Sequence, residues 1–351
     1  MKPKLHLVYP HRELTSAPDV IGWKMADFFS KNYEVKLYQW DDKRTIVPKK
    51  GEILLGHPHP MGGRIFRNSM KQPEWEKVIA ISPYTPSIRL SGFLGETLPY
   101  VDHYLAITGN YWAQRVGEDL FARYEEKFTH IDLAVDREHF PRLERELNPV
   151  GARRFLFIGS GLWCKNVPYL GEIAGAYPKA KFSWIGRGKY QHPNLHKYGF
   201  TDLSTSEGRE IVAQYDFLIM PGRIDANPTT ILEAMSWGLI PVCTRQSGYD
   251  GFGGIFNIPL DDVAGAVKII DDLSKISESE YQACQELNFQ LLENHFHWNR
   301  FLEQVGSALE RKPSQSRARP DLKDRLTSLA GHHFGLCSPW RDLARKALRR
   351  S

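Results

Sequence analysis

The sequence predicts an α/β protein of two doubly wound, Rossmann-like domains facing across a cleft, with C-terminal helices packing back. Three observations predict it. Short apolar runs alternate with helix-like stretches in two successive series, a polar segment bearing Pro and Gly separates the series, and 351 residues suffice for two domains with a core each.

In the first series the strand candidates are Leu5–Tyr9, Glu34–Trp40, Glu52–Leu55, Lys77–Ile81 and His103–Thr108, with helical patterns at about Val20–Ser30 and Asn110–Tyr124. Strands alternating with helices in this way pair in parallel through crossovers. Pro141–Arg153, with Pro149, Gly151 and mixed charges, reads as a linker. The second series offers Phe155–Ile158, Phe182–Ile185, Phe217–Met220 and Ile240–Cys243, and Gly or Pro closes the first three at or just after their C-terminal ends. Parallel α/β sheets bind ligands beyond those ends. Val263–Leu273, Ser277–Leu292 and His297–Leu309 then carry apolar residues at helical spacing, and Pro313–Pro320 is a loop. A last short helix follows from Pro339 to Arg350, with Trp340, Leu343, Ala347 and Leu348 on its apolar side. The expected domains span 1–145 and 146–311, followed by a tail over 312–351.

Composition narrows the function. Charged residues are 25% and hydrophobic ones 42%, as in ordinary globular domains, and no apolar run is long enough to span a bilayer. The N-terminus enters a strand almost at once, without the apolar region of a secretory signal, and the four cysteines (Cys164, Cys243, Cys284, Cys337) are widely spaced. Both features predict a cytoplasmic protein with reduced thiols. The net charge of +5 is uneven: from Arg311 to Ser351 eleven Lys and Arg stand against three Asp, a balance of +8. That pattern excludes a uniformly basic nucleic-acid reader. The tail packs back on the body, makes peripheral contact with an anionic membrane, at its inner face in the cell, or frays.

The most informative stretch is Asp225-Ala-Asn-Pro-Thr-Thr-Ile-Leu-Glu233, continuing Ala-Met-Ser-Trp-Gly-Leu-Ile-Pro-Val. Asn227 and Pro228 oppose helix, Thr229 or Thr230 can cap one, Ile231–Trp237 can continue it and Gly238 can end it. N–H groups at such a start attract phosphate or a polar ligand edge, and Glu233, one turn in, can accept hydrogen bonds from hydroxyls.

This acidic-x7-Glu pattern, with its Pro, Thr, Glu-Ala-Met, Gly and Pro-Val, resembles the motif of retaining glycosyltransferases with the GT-B fold, family four most of all. Other segments agree in order. Phe155–Gly161 is similar to the strand and Gly-rich turn opening the family's donor domain, Lys165-Asn166 to its Lys dipeptide, Trp184–Gly188 to the next strand-end turn, Tyr198–Phe200 to the segment after it, and His130–Phe140 to its domain junction. The likeness covers about residues 100 to 310. It implies an N-terminal acceptor domain and a C-terminal nucleotide-sugar donor domain. By resemblance, Glu233 takes the donor ribose and Asp225 grips the transferred sugar. Lys165 neutralises the departing diphosphate. Gly159 and Gly161 let backbone approach the phosphates, Arg187 meets base or phosphate, and Asn227, Pro228, Thr229 and Thr230 line the donor.

In the first half, His57 and His59 end a strand in Gly56-His-Pro-His-Pro, and the family often turns a His toward the donor sugar there. A metal at the pair is disfavoured, since no carboxylate or Cys lies in register and GT-B transferases generally need none. Asp19, in the loop after the first strand, falls where acceptor contacts converge. The chain departs from the family pattern in Ser16-Ala-Pro for Gly-Gly, in lacking a basic residue from Ser160 to Cys164, and in Asp225 and Asn227 for Glu and an aromatic.

The resemblance thus implies a metal-independent, cofactor-free retaining glycosyltransferase of polysaccharide biosynthesis that moves a hexose-type sugar from a nucleoside diphosphate to a glycan or lipid-linked acceptor. The alternatives are a GT-B nucleotide-sugar epimerase or hydrolase, and a catalytically silent sugar-nucleotide-binding partner protein.

Overall fold

The computed structural model describes residues 2–12, 17–59, 64–313 and 316–334. It divides into two compact units: Met1–Thr108 with Trp112–Ile131 and Phe301–Ser351, and Gly109–Tyr111 with Asp132–Arg300. The chain therefore passes into the second unit at residue 132 and leaves it at 301, where the sequence places the boundaries at 145/146 and 311/312.

Unit 1 is built on β1 (Lys4–Val8), α1 (Ala17–Ser30), β2 (Glu34–Tyr38), β3 (Ile53–Gly56), α2 (Arg64–Ser69), β4 (Lys77–Pro83), α3 (Ile88–Ser91), β5 (His103–Ile107), the short α4 (Asn110–Ala113), whose first two residues fall to unit 2, and β6 (Phe128–Ile131). All six strands are parallel, in the order β2-β1-β3-β4-β5-β6. β3 and β5 are buried along their whole length, which is why they read as unbroken apolar runs rather than alternating ones. Expected strands match β1 to β5 within about two residues. The expected helix over 110–124 forms only as α4 followed by two short 3₁₀ turns. Between them the Asp119 carboxylate accepts from the Phe121 N–H at 2.7 Å, a local bond that competes with helix.

Unit 2 holds β7 (Arg154–Ile158), α5 (Val167–Ala176), β8 (Lys181–Ile185), β9 (Leu195–Gly199), α6 (Ser206–Val212), β10 (Phe217–Met220), α7 (Thr229–Trp237), β11 (Ile240–Thr244), β12 (Phe256–Ile258), α8 (Val263–Lys275) and α9 (Glu278–Asn294). Its parallel sheet runs β12-β11-β10-β7-β8-β9. Phe155, central in the sheet, stacks on Phe182 and Phe217 at 5.2 and 4.9 Å between ring centres. α9 starts on a complete capping box of Ser277 and Glu280.

The stretch read as a linker, 141–153, belongs to unit 2. It is fastened to the buried Asp216 at the start of β10, whose carboxylate accepts from the Asn148 N–H at 3.1 Å and the Arg154 N–H at 2.9 Å while Arg145 lies 3.5 Å away. A fully buried carboxylate needs such company.

The returning chain completes unit 1 with α10 (Trp298–Glu310) and α11 (Leu322–Phe334). Phe301, Leu302, Val305, Ala308 and Leu309 of α10 are buried, the Lys77 ammonium donates to the Leu309 carbonyl, and His103 Nε2 lies 3.1 Å from the Arg311 carbonyl. α11 packs on α3 and the 3₁₀ turn Gly92–Glu96. The expected helix at 339–350 lies outside the described residues.

Candidate functional site

The strand order of unit 2 reverses direction between β7 and β10, so the loops leaving these two neighbouring strands part to opposite sides. Ligands of doubly wound sheets bind in that crevice. The two loops carry Lys165 and Asp225.

After β7 the chain turns through Gly159-Ser-Gly161 and one 3₁₀ turn, Trp163–Lys165, to Asn166, which is left-handed at φ 55° and opens α5. Asn166 is buried and its amide is clamped: Oδ1 accepts from Arg223 Nε at 2.9 Å, Nδ2 donates to Asp261 at 2.9 Å, and Arg223 pairs with Asp261 at 2.8 Å. The Arg223 N–H also donates to the Cys164 carbonyl at 2.8 Å, joining the loop after β10 to the loop after β7. Two residues on, the Asp225 carboxylate forms an ion pair with the Lys165 ammonium. Burial favours the neutral amine, but the charge of Asp225 and its hydrogen bond outweigh it and raise the Lys165 pKa. The Asp225 N–H is held by the Gln246 carbonyl at 3.0 Å.

α7 begins at Thr229, which the sequence offered as a cap, and ends as expected at Gly238, which is left-handed at φ 90°. Its N-cap is Pro228, with no side-chain cap from either threonine. The Thr229 hydroxyl serves Glu233 instead, one turn along. Burial raises the Glu233 pKa, and the bond from Thr229 opposes that rise. Tyr249 is fully buried, and burial, then the charges of Asp132, Cys243, Asp225 and Glu233, push its hydroxyl well above the usual range.

One expectation changes here. Asn227, predicted to line the donor, is turned inward and 1% exposed, in the left-handed region at φ 53°. Its Oδ1 accepts from the Leu133 N–H at 3.2 Å and the Tyr249 hydroxyl at 3.1 Å, and its Nδ2 donates to Asp132 at 3.1 Å. The N–H groups of Gly159 and Gly161 donate to the carbonyls of Ile185 (3.0 Å) and Arg187 (2.6 Å). The glycines serve turn packing: a Cβ on Gly161 would come 3.1 Å from Gly188 Cα. Arg187 itself is exposed and lies over the Phe200 ring at 4.5 Å.

Sequence reasoning missed Asp132, Tyr249, His295, Arg223 and Asp261. Asp132 receives His295 Nε2 at 2.8 Å on its second oxygen, so a hydrogen-bonded chain runs from His295 through Asp132 and Asn227 to Tyr249 and on to the Pro228 carbonyl, 3.2 Å from the tyrosine hydroxyl. Nothing in local spacing joins residues this far apart. A wide hollow of about 840 Å³ elsewhere on unit 2, lined by Lys179–Phe182 and Gln191–Lys197, holds none of the predicted residues.

In unit 1 the strand order switches between β1 and β3, and Asp19 and the two histidines follow those strands. The Asp19 carboxylate accepts from the Arg12 N–H at 2.7 Å. His57 is buried against Tyr9 and Trp40, and its Nδ1 accepts from the His59 N–H at 3.0 Å, which requires that nitrogen to be unprotonated. Burial lowers the His57 pKa well below the ordinary value; burial and then the charge of Arg67 bring His59 to about 4. Among the described residues, no group of three or more His, Cys, Asp or Glu could hold a metal ion.

Two six-stranded parallel sheets, each with a switch point, define the architecture. The chain has the GT-B fold. A glycosyltransferase from Rickettsia africae superposes with a TM-score of 0.63 at 13% identity over 88% of this chain and 98% of that one. The catalytic domain of starch synthase IV from Arabidopsis thaliana, bound to ADP and acarbose, gives 0.66 at 11% identity over 90% and 100%. S. aureus TarM, crystallised with fondaparinux, alpha-GlcNAc-glycerol and UDP, gives 0.57 at 12% over 75% of this chain, which spans only 56% of TarM. No family model and no curated protein matches the sequence. These identities establish the GT-B fold and leave the chemistry to the residues.

Proposed function

We propose that this chain is a metal-independent, retaining glycosyltransferase that transfers a hexose-type sugar from a nucleoside diphosphate to a hydroxyl of a glycan or lipid-linked acceptor. The observation that carries the proposal is the Lys165–Asp225 ion pair at the switch point of unit 2. An ammonium fixed there can stabilise the charge that develops on a departing diphosphate, and a carboxylate beside it can orient sugar hydroxyls. The start of α7, with first-turn N–H groups that have no acceptor inside the helix, adds to the phosphate side. Glu233 takes the ribose hydroxyls. Arg187, exposed on the turn after β8, meets the base or phosphate, and Pro228, Thr229 and Thr230 line the donor through their backbone. Asp19, His57 and His59 belong to the acceptor domain, the histidines neutral at pH 7. The acceptor attacks on the face the phosphate leaves, and that phosphate takes its proton.

Product analysis tests the reading. Purified protein is incubated with radiolabelled UDP-, GDP- and ADP-sugars in EDTA, with and without membrane extract, and the product's anomeric configuration is read by NMR. Acceptor-dependent transfer with the donor's configuration is expected. Free sugar or an epimer alone would make the chain a hydrolase or epimerase, and binding without turnover would make it a silent partner.

A further inference from the structure

α11 inverts the usual burial of an amphipathic helix. Asp324, Ser328 and Gly331, four and three residues apart, form the face turned to the rest of unit 1. Asp324 is 3% and Ser328 1% exposed, Asp324 accepts from Arg123 and, at 2.9 Å, from the Tyr124 hydroxyl, and a Cβ on Gly331 would come 2.7 Å from Gly92 Cα. On the opposite side, at the same spacing, Leu322, Leu326 and Leu329 are 73%, 55% and 53% exposed. Three leucines in one helical stripe form a continuous apolar strip, unlike the scattered single leucines of ordinary surfaces.

Charge says what covers the strip. The acids of this helix start are used up, since Asp321 as well as Asp324 pairs with Arg123. Lys323 and Arg325 stand exposed on the two flanks of the leucines, and Arg311, Lys312 and Arg319 are exposed just before them. A second copy of α11 would set this cationic rim against itself. The segment from 335 to 351 is a poor cover for the same reason, with Arg341, Arg345, Lys346, Arg349 and Arg350 against the lone Asp342. An apolar stripe with a basic rim matches the boundary between acyl chains and anionic headgroups. We propose that α11 is a membrane-docking element, laying Leu322, Leu326 and Leu329 into the interface of an anionic bilayer while Lys323 and Arg325 meet lipid phosphates. Among the described residues no helix is long and apolar enough to cross a membrane, so the contact is peripheral. This assignment stands independently of the glycosyl-transfer reading.

The test is flotation of the full chain with vesicles of mixed phosphatidylcholine and phosphatidylglycerol, against phosphatidylcholine alone. Binding to the mixed vesicles is expected. The triple variant Leu322→Ser, Leu326→Ser, Leu329→Ser lowers it by at least about tenfold, and Lys323→Ala with Arg325→Ala by about tenfold at low salt, with unfolding temperatures unchanged because these side chains face solvent. A triple variant that floats as well as the parent overturns the proposal. So does a parent dimer in sedimentation velocity that the leucine substitutions dissociate, which would assign the stripe to a second copy. Lipid-free hydrogen exchange in which residues 335–351 lose protection in the triple variant would assign it to the chain's own end.

Discussion

Asp225→Asn separates two roles that the ion pair combines. In the parent, Asp225 occupies the ammonium that the proposed donor needs, and the Lys165 and Asp225 side chains are only 20% and 17% exposed. At contact distance and an effective dielectric near 20 the attraction is roughly 4 kcal/mol, most of it offset by the cost of desolvating both charges. A net coupling of about 1 kcal/mol remains, and a bare diphosphate must overcome it to reach Lys165. Removing the charge of Asp225 therefore tightens binding of UDP, GDP or ADP, whichever the parent binds, by roughly fivefold, while transfer from the sugar nucleotide is lost. Lys165→Met weakens the same nucleotide by about ten- to a hundredfold, the worth of a charge-assisted hydrogen bond. The double variant binds like Lys165→Met, because Asp225 acts through the lysine. The sign with pH follows from the raised Lys165 pKa: in the parent the pair is intact up to the ordinary lysine value and is lost only above its own raised value. Without Asp225, burial prevails and the amine deprotonates below the ordinary lysine value, so the gain shrinks as the pH rises toward that value. Titration calorimetry in EDTA measures each variant. Equal nucleotide affinity in parent, Asp225→Asn and Lys165→Met would refute the reasoning.

Two further predictions concern stability. His59, at about 4, lies below its unfolded value of about 6.5, so the stability it contributes is complete above pH 6.5 and declines as pH falls toward 4, by about 2 to 3 kcal/mol; urea midpoints from pH 7 to 4.5 should fall, and His59→Gln should flatten the slope. Asn227→Ala removes three buried hydrogen bonds and puts a Cβ-bearing residue without amide bonding in the left-handed region, costing about 3 to 5 kcal/mol, of which Asn227→Gly recovers about 1. Thermal unfolding that ranks Ala and Gly equal would contradict the backbone part of that account.

The fold was largely legible because buried parallel strands are continuous apolar runs, and Leu5–Tyr9, Phe155–Ile158 and Phe217–Met220 read as such. Gly238 was legible because a helix end needs a left-handed residue there. β6, β9 and β12 were missed for the converse reason: Phe128–Ile131, Leu195–Gly199 and Phe256–Ile258 lie at or beside sheet edges and mix polar residues into short runs. α11 was missed as well, although its start carries a signal: Asp321 and Asp324 bond each other's backbone N–H groups at 2.9 and 3.1 Å, an acidic counterpart of the capping box. Of the candidate site, Lys165 and Asp225 stood out by residue type and the structure brings them together, but their wiring was not legible. Sixty positions separate the partners of the ion pair, and the amides of Asn166 and Asn227 turn inward because left-handed backbone aims them there.

The route of the chain sets an order of biosynthesis. A nascent polypeptide ordinarily completes its N-terminal domain first. Here every strand of unit 2 has been translated by Ile258, while unit 1 still lacks α10, the acceptor for the Lys77 ammonium and the partner of His103. Unit 2 can close its sheet on the ribosome while unit 1 waits with the surface bound for Phe301, Leu302 and Val305 uncovered. A fragment cut at residue 131 would be left permanently at that stage, so unit 2 is the one to express alone, and unit 1 calls for a recombinant in which residues 301–334 are rejoined to its own strands.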